Sequence, residues 1–201
     1  MVEKAADLLA RAQRPVLLIG GGANYSGAGD ALMRLAERLG APVVNSPTSR
    51  GVLPESNALV LGCAGIIGYE PVGNAIREAD LVLAIGSRLS DIQTSRGELL
   101  PVGAPIIQVD IDAAALGKEY SSEVGVVSDA KAFADALNEI LDADASPVRD
   151  VRRNWTESLA ARYIAWRDEW LSSTPDNGQV QPQGIVAALC EQPPETIYTH
   201  G

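Results

Sequence analysis

Three short stretches hold residues whose type and spacing could do chemistry. The first is Gly20, Gly21 and Gly22, running through Ala23, Asn24, Tyr25 and Ser26 to Gly27. Glycines directly after an apolar run let a backbone approach a phosphate at the start of a helix. The match to a dinucleotide fingerprint is partial. Tyr25 stands where the third glycine belongs, and Asn45 stands where an acid would hold a ribose. No Gly-Lys-Ser/Thr follows, so this is not a Walker-type phosphate loop. Nucleotide turn and plain tight turn remain equal readings. The second stretch runs from Gly86 to Asp91 and carries Arg88, which could stack on an adenine or clamp a phosphate. Its bland alternative is a surface pairing with Asp91. The third holds Asp110 and Asp112 on either side of Ile111. A carboxylate at a strand end can accept ribose hydroxyls, whereas Asp112 better suits the cap of the helix that follows.

The remaining reactive residues offer little. Cys63 and Cys190 lie far apart and form no metal-ligand pattern, and His200 is the single histidine. Cys63 reads as a buried thiol and His200 as having no catalytic role. Nothing pairs a nucleophile with a base.

Composition narrows the partners. The chain has 201 residues, with 16 Lys+Arg against 26 Asp+Glu and a formal charge of −10. No basic excess exists to displace counterions, which excludes a nucleic-acid backbone binder and disfavours an anionic membrane surface. Apolar residues at 46% supply a core. Runs such as Leu81 to Ile85 are far shorter than a bilayer span, and Glu3 and Asp7 stand where a signal peptide needs basic residues. Unclustered thiols fit a cytoplasmic protein.

The elements that must position these residues alternate along the chain. Continuous apolar runs over 15–20, 42–45, 59–62, 80–86, 105–111 and 124–127 predict strands covered on both faces. Between them, 27–39 places Ala31, Leu32, Leu35, Ala36 and Leu39 on one helical stripe that Gly40 ends. A loop covers 46–57, and 71–79 is a helix with proline in its first turn. Ser128 and Asp129 cap a helix from Ala130 to Leu141. Strands spaced by helices require one parallel sheet, so the fold is doubly wound α/β. Beyond it, 148–171 is a long helix. Val148, Val151, Trp155, Leu159, Tyr163, Trp166 and Trp170 form its apolar stripe, a packing surface or an exposed interface. A short helix spans 182–191, and a strand opens at Glu195.

Taken in order, these stretches resemble the central domain of thiamine-diphosphate-dependent enzymes of the acetolactate synthase type. The likeness is carried by Ala12 to Gly22, Leu35 to Val43, Arg50 to Pro54, Leu61 to Gly68, Ala79 to Gly86 and Ile107 to Asp112. It covers residues 3 to 141, and the tail after Gln179 is similar to the opening of the family's diphosphate-binding domain. It implies three regions: a central α/β domain over 1–141, a linker and amphipathic helix over 142–179, and the start of the next domain over 180–201. The chain then reads as the excised middle of a longer enzyme, inactive alone.

The resemblance further implies a Rossmann-like domain of the DHS-like FAD/NAD-binding type that holds FAD or ADP, or stays empty. Its cofactor contacts would be Gly21, Gly22, Ser46, Thr48, Gly65, Gly86, Arg88, Asp110, Ile111 and Asp129. Flavin-binding members usually carry His, a second Arg, Thr and Gly where Ile67, Gln93, Ser46 and Ser49 stand. Thiamine diphosphate and Mg²⁺ would sit on flanking pyrimidine- and diphosphate-binding domains of a homo-oligomer, dimer or tetramer. That enzyme would decarboxylate a 2-keto acid and protonate or carboligate the product, with the cofactor as electron sink. A different expectation is an FAD-binding module of the electron-transfer flavoprotein type. Asn45 and the missing glycine argue against a free NAD-dependent dehydrogenase.

Overall fold

A computed structural model describes residues 1–143, 148–173 and 181–193. The chain divides into two compact units, Met1–Ala160 and Ala161–Gly201.

In the first unit the apolar runs become six strands: β1 (Pro15–Ile19), β2 (Val43–Asn45), β3 (Val60–Cys63), β4 (Leu81–Ile85), β5 (Ile106–Asp110) and β6 (Val124–Val127). They form one sheet in the order β3-β2-β1-β4-β5-β6, and every neighbouring pair is parallel. The five strands from β1 to β5 are buried at every position, as continuous apolar runs require. Only the edge strand β6 alternates between covered and open positions.

Helices α1 (Val2–Arg11), α2 (Gly21–Tyr25), α3 (Gly29–Leu39) and α6 (Ala130–Ala143) share one core with the strands. There Leu32, Leu35, Phe133 and Leu137 pack with Leu17, Ile19, Leu83, Ile85 and Val109. Alternate strand residues such as Leu18, Val82 and Ala84 point to the opposite face and are equally buried. So are Val72, Ala75 and Ile76 of α4 (Glu70–Arg77), whose chain packs beside β3. A short α5 (Asp91–Thr94) follows β4. The doubly wound sheet is therefore present as expected.

Local chemistry sets the helix ends. Gly40 adopts a left-handed φ of 61° and closes α3. Asp129 Oδ1 accepts the backbone N–H groups of Lys131 (2.9 Å) and Ala132 (3.0 Å), capping α6. One expected helix, 27–39, is corrected. The glycine turn itself winds into α2, left-handed Gly27 breaks the path, and α3 begins at Gly29.

The long helix α7 (Asp150–Ser172) also differs from its expected apolar stripe. Its buried residues are Arg152, Thr156 and Leu159, while Val151 is exposed and Trp155 half-buried. The Arg152 guanidinium donates to the carbonyls of Leu9, Ala12 (Nε at 3.0 Å, Nη2 at 2.7 Å) and Leu39 (3.3 Å). Thr156 Oγ1 donates to Gly40 O at 2.9 Å. These carbonyls lie in or just after the last turns of α1 and α3, where a cation complements the helix dipole. Burial and nearby Arg149 lower the guanidinium's pKa.

In the second unit, Tyr163, Trp166 and Trp170 stack successively along α7, with ring centroids 6.2 and 6.4 Å apart. Helix α8 (Pro182–Cys190) starts with proline in its first turn and exposes Ile185, Val186 and Leu189. The strand expected at Glu195, with His200, lies outside the described residues. No described helix is long and apolar enough to cross a membrane.

Candidate functional site

The winding direction of the sheet reverses between β1 and β4. Chain segments leave these neighbouring strands in opposite directions, and a crevice opens beyond their C-terminal ends. Glycine lets the two strand ends close in on each other. Gly20 N donates to Ile85 O at 2.9 Å, and Gly22 N donates to Gly86 O at 3.0 Å. A Cβ on Gly20 would lie 2.2 Å from Gly86 O, and one on Gly22 would lie 2.8 Å from Gly86 Cα. The glycine turn is therefore required for packing whether or not a ligand is bound.

The crevice is a cleft of about 980 Å³. Of the expected contacts, Gly21, Gly22, Ser46, Thr48, Gly86, Arg88, Asp110, Ile111 and Asp129 all line it. Gly65 does not. At φ 101° it packs where a Cβ would sit 2.1 Å from Ile92 O, so it seats the loop after β3 against the start of α5.

Each lining group has a local reason for its place. Ser46 Oγ lies 3.0 Å from both Thr48 Oγ1 and Ser49 Oγ, while Ser49 Oγ accepts Ser46 N and donates to Ile19 O at 2.7 Å. Ser49 thus braces the cleft wall from below, using its hydroxyl as a structural strut. Arg88 carries a side chain 74% exposed, and its nearest carboxylate is Asp112 at 3.9 Å. The expected alternative pairing with Asp91 is replaced by this loose contact across the cleft mouth. Asp110 is buried, and its Oδ1 accepts Asp112 N at 2.9 Å. Asp112 Oδ1 accepts Ala114 N at 2.9 Å, the cap expected of it. Asp129 both lines the cleft and caps α6.

Two residues depart from their sequence reading. Asn45 ends β2 fully buried, outside the cleft lining, with both amide atoms unpartnered. It cannot stand in for a ribose-holding acid there. Gln93, which stands where the resembling flavin-binding members carry a second arginine, lines the cleft beside Ser87. Gln93 Oε1 accepts the Ser87 hydroxyl, and Gln108 Nε2 donates to Ser87 O at 3.2 Å and to Ala115 O at 3.2 Å. Polar residues kept inside apolar surroundings were the available signal.

The lining combines glycine backbone, hydroxyls, one exposed cation and two carboxylates. Chemically, that set suits a ligand bearing both a polyanion and hydroxyl groups. Among the described residues, no group of His, Cys, Asp and Glu could hold a metal ion. Cys63 is a buried thiol whose pKa burial pushes up, against a smaller opposing pull from Arg50.

Comparison with known proteins agrees with this architecture. Residues 2–137 match the family model described as thiamine pyrophosphate enzyme, central domain. A probable acetolactate synthase large subunit of Methanocaldococcus jannaschii is 38% identical over 94% of this chain and 31% of its own length. The corresponding protein of Methanococcus aeolicus is 37% identical over 94% of the chain and 32% of its length. The acetolactate synthase large subunit of Corynebacterium glutamicum is 32% identical over 100% of the chain and 32% of its length. The chain spans about a third of the length of the curated relatives it matches. The resemblance read from the motif series thus holds across the whole domain, and the chain belongs to the thiamine pyrophosphate enzymes of the acetolactate synthase type as their central domain.

Proposed function

We propose that the cleft of this domain binds an adenine-containing cofactor, FAD or ADP, within an enzyme that decarboxylates and carboligates 2-keto acids. The carrying observation is convergence: the glycine turn, Arg88 and Asp110 line one cleft at the reversal of the sheet. The residues fit the group. Gly21 and Gly22 allow a diphosphate to lie against backbone, Arg88 supplies an exposed counter-charge, and Asp110 accepts ribose hydroxyls. Thr48 Oγ1 lies only 3.0 Å from the position a Cβ on Gly21 would take, so a larger residue there would crowd the diphosphate bed. When bound, a flavin supplies a redox-capable ring, whereas ADP supplies only structure.

The described residues do not fit thiamine diphosphate and Mg²⁺ in the same way, because they include no metal-holding cluster. These groups belong to the pyrimidine- and diphosphate-binding domains of the parent, a cytoplasmic homo-oligomer of two or four chains. The domain by itself is inactive on 2-keto acids.

Thermal unfolding of the 201-residue chain with FAD, ADP and NAD tests the nucleotide reading. At a hundredfold excess over the dissociation constant, FAD or ADP should stabilise by about 2.7 kcal/mol, raising Tm by roughly 5–11 °C. An unchanged Tm with both would remove the proposal. Assay of the parent with pyruvate, thiamine diphosphate and Mg²⁺ tests the enzyme class, and an intact parent without carbon dioxide release would refute it.

A further inference from the structure

We infer that Gln108 is a positioning residue for the cleft: its carboxamide ties the loop that carries Arg88 to the loop that carries Asp112, and so sets how Arg88 meets a diphosphate. The inference rests on the adenine-nucleotide reading of the cleft. Gln108 interrupts the apolar run of β5, pairs in register with Ala84 of β4 and is 1% exposed. It stands outside the cleft lining, so any effect on a ligand passes through other groups. A buried carboxamide is unfavourable unless its donors and its acceptor are engaged, and here they are. Nε2 donates to Ser87 O and to Ala115 O, each at 3.2 Å, and Oε1 accepts Gly117 N at 2.8 Å.

These partners belong to two different loops. Ser87 O lies in the peptide that leads into Arg88, and Ser87 Oγ accepts Leu89 N at 3.1 Å just beyond it. Leu89 is fully buried at a φ of 53°, a left-handed conformation that a leucine keeps only where its surroundings impose it. The backbone is thus fixed on either side of Arg88. On the second loop, Ala115 closes the short turn Ala113–Ala115 that Asp112 caps, and left-handed Gly117 follows. Asp112 Oδ1 accepts Ala114 N, which leaves Oδ2 3.9 Å from Arg88 Nη2. One buried side chain therefore sets the separation between the exposed guanidinium and its carboxylate neighbour. An arginine whose backbone is fixed beforehand loses less freedom when it closes on an anion.

Calorimetric titration of the full chain with ADP and FAD, in a double-mutant cycle with Arg88, tests the inference. Gln108→Met keeps the length and removes every polar bond, and it should weaken both ligands about fivefold. In the Arg88→Ala background the same substitution should change affinity by less than about twofold, because the group it positions is gone. A purely structural role weakens binding by one factor in both backgrounds. That result, or unchanged affinity on Gln108→Met alone, would overturn the assignment. Gln108→Asn retains a carboxamide but falls one methylene short of its partners, so it should show the same non-additive loss if the Met variant folds poorly. Additive losses in a chain that binds nucleotide remove this inference alone, whereas failure of the wild type to bind either ligand removes the nucleotide reading together with it.

Discussion

Arg152 and Arg88 serve opposite edges of the same sheet and are used in opposite ways. Arg152 lies at the edge where strands begin, buried, with its donors directed at three backbone carbonyls. Arg88 lies where strands end, largely exposed, with one loose carboxylate neighbour at 3.9 Å. At the first edge Arg152 and Thr156 donate to backbone carbonyls and so fix structure. The second leaves charge open to solvent at Arg88. Partner satisfaction, more than residue type, separates a joint from a binding surface.

This contrast breaks most sharply at Arg152. Arg152→Met should cost about 3 kcal/mol, since hydrogen bonds to a charged group contribute ~1.5–3 kcal/mol and their carbonyl partners stay buried. A Tm lower by roughly 6–12 °C is expected in thermal melts, and a wild-type melt would show that the clasp is dispensable. Gly22→Ala comes next, because its Cβ would meet Gly86 Cα at 2.8 Å. Overpacking of this kind costs about 1–3 kcal/mol and should weaken nucleotide binding in parallel, as urea midpoints and titrations would report. Full affinity with full stability would show the strand ends to be looser than described.

Arg88→Ala should leave unfolding within about 0.5 kcal/mol yet lower nucleotide affinity roughly tenfold or more. Loss of stability without loss of affinity would reverse the roles of the two edges. The smallest effect belongs to Cys63, whose thiol burial pushes up. Its folded pKa exceeds the unfolded value of about 8.5, so its contribution is complete below that pH and lost as pH rises through the folded value. Urea midpoints should therefore fall in mildly alkaline buffer, and Cys63→Ala should flatten that fall; identical slopes would refute the assignment.

The fold was readable because doubly covered strands write themselves as apolar runs. Pro15 to Ile19 and Leu81 to Ile85 became β1 and β4 with few changes at their ends. The cleft lining was readable for a similar reason, since glycines and charges right after such runs must sit at the strand ends. Arg152 was not readable. An arginine in a helix normally signals solvent, and no periodicity reveals that two helix C-termini wait for it. Gln93 was legible only as a departure from the resembling flavin-binding pattern, because its place depends on the path of α5 over Gly65, set by tertiary packing. Gly65, outside the cleft lining, lets the loop after β3 come close to α5, which no motif in the sequence reveals.

The hollow beneath Arg88 arises from the path of the chain, before any side chain contributes to it. A cleft made by winding persists whatever residues stand on its rim. Descendants of such a domain can therefore exchange or abandon a cofactor by changing a few rim residues while the scaffold, and its service to neighbouring domains, continues unaltered.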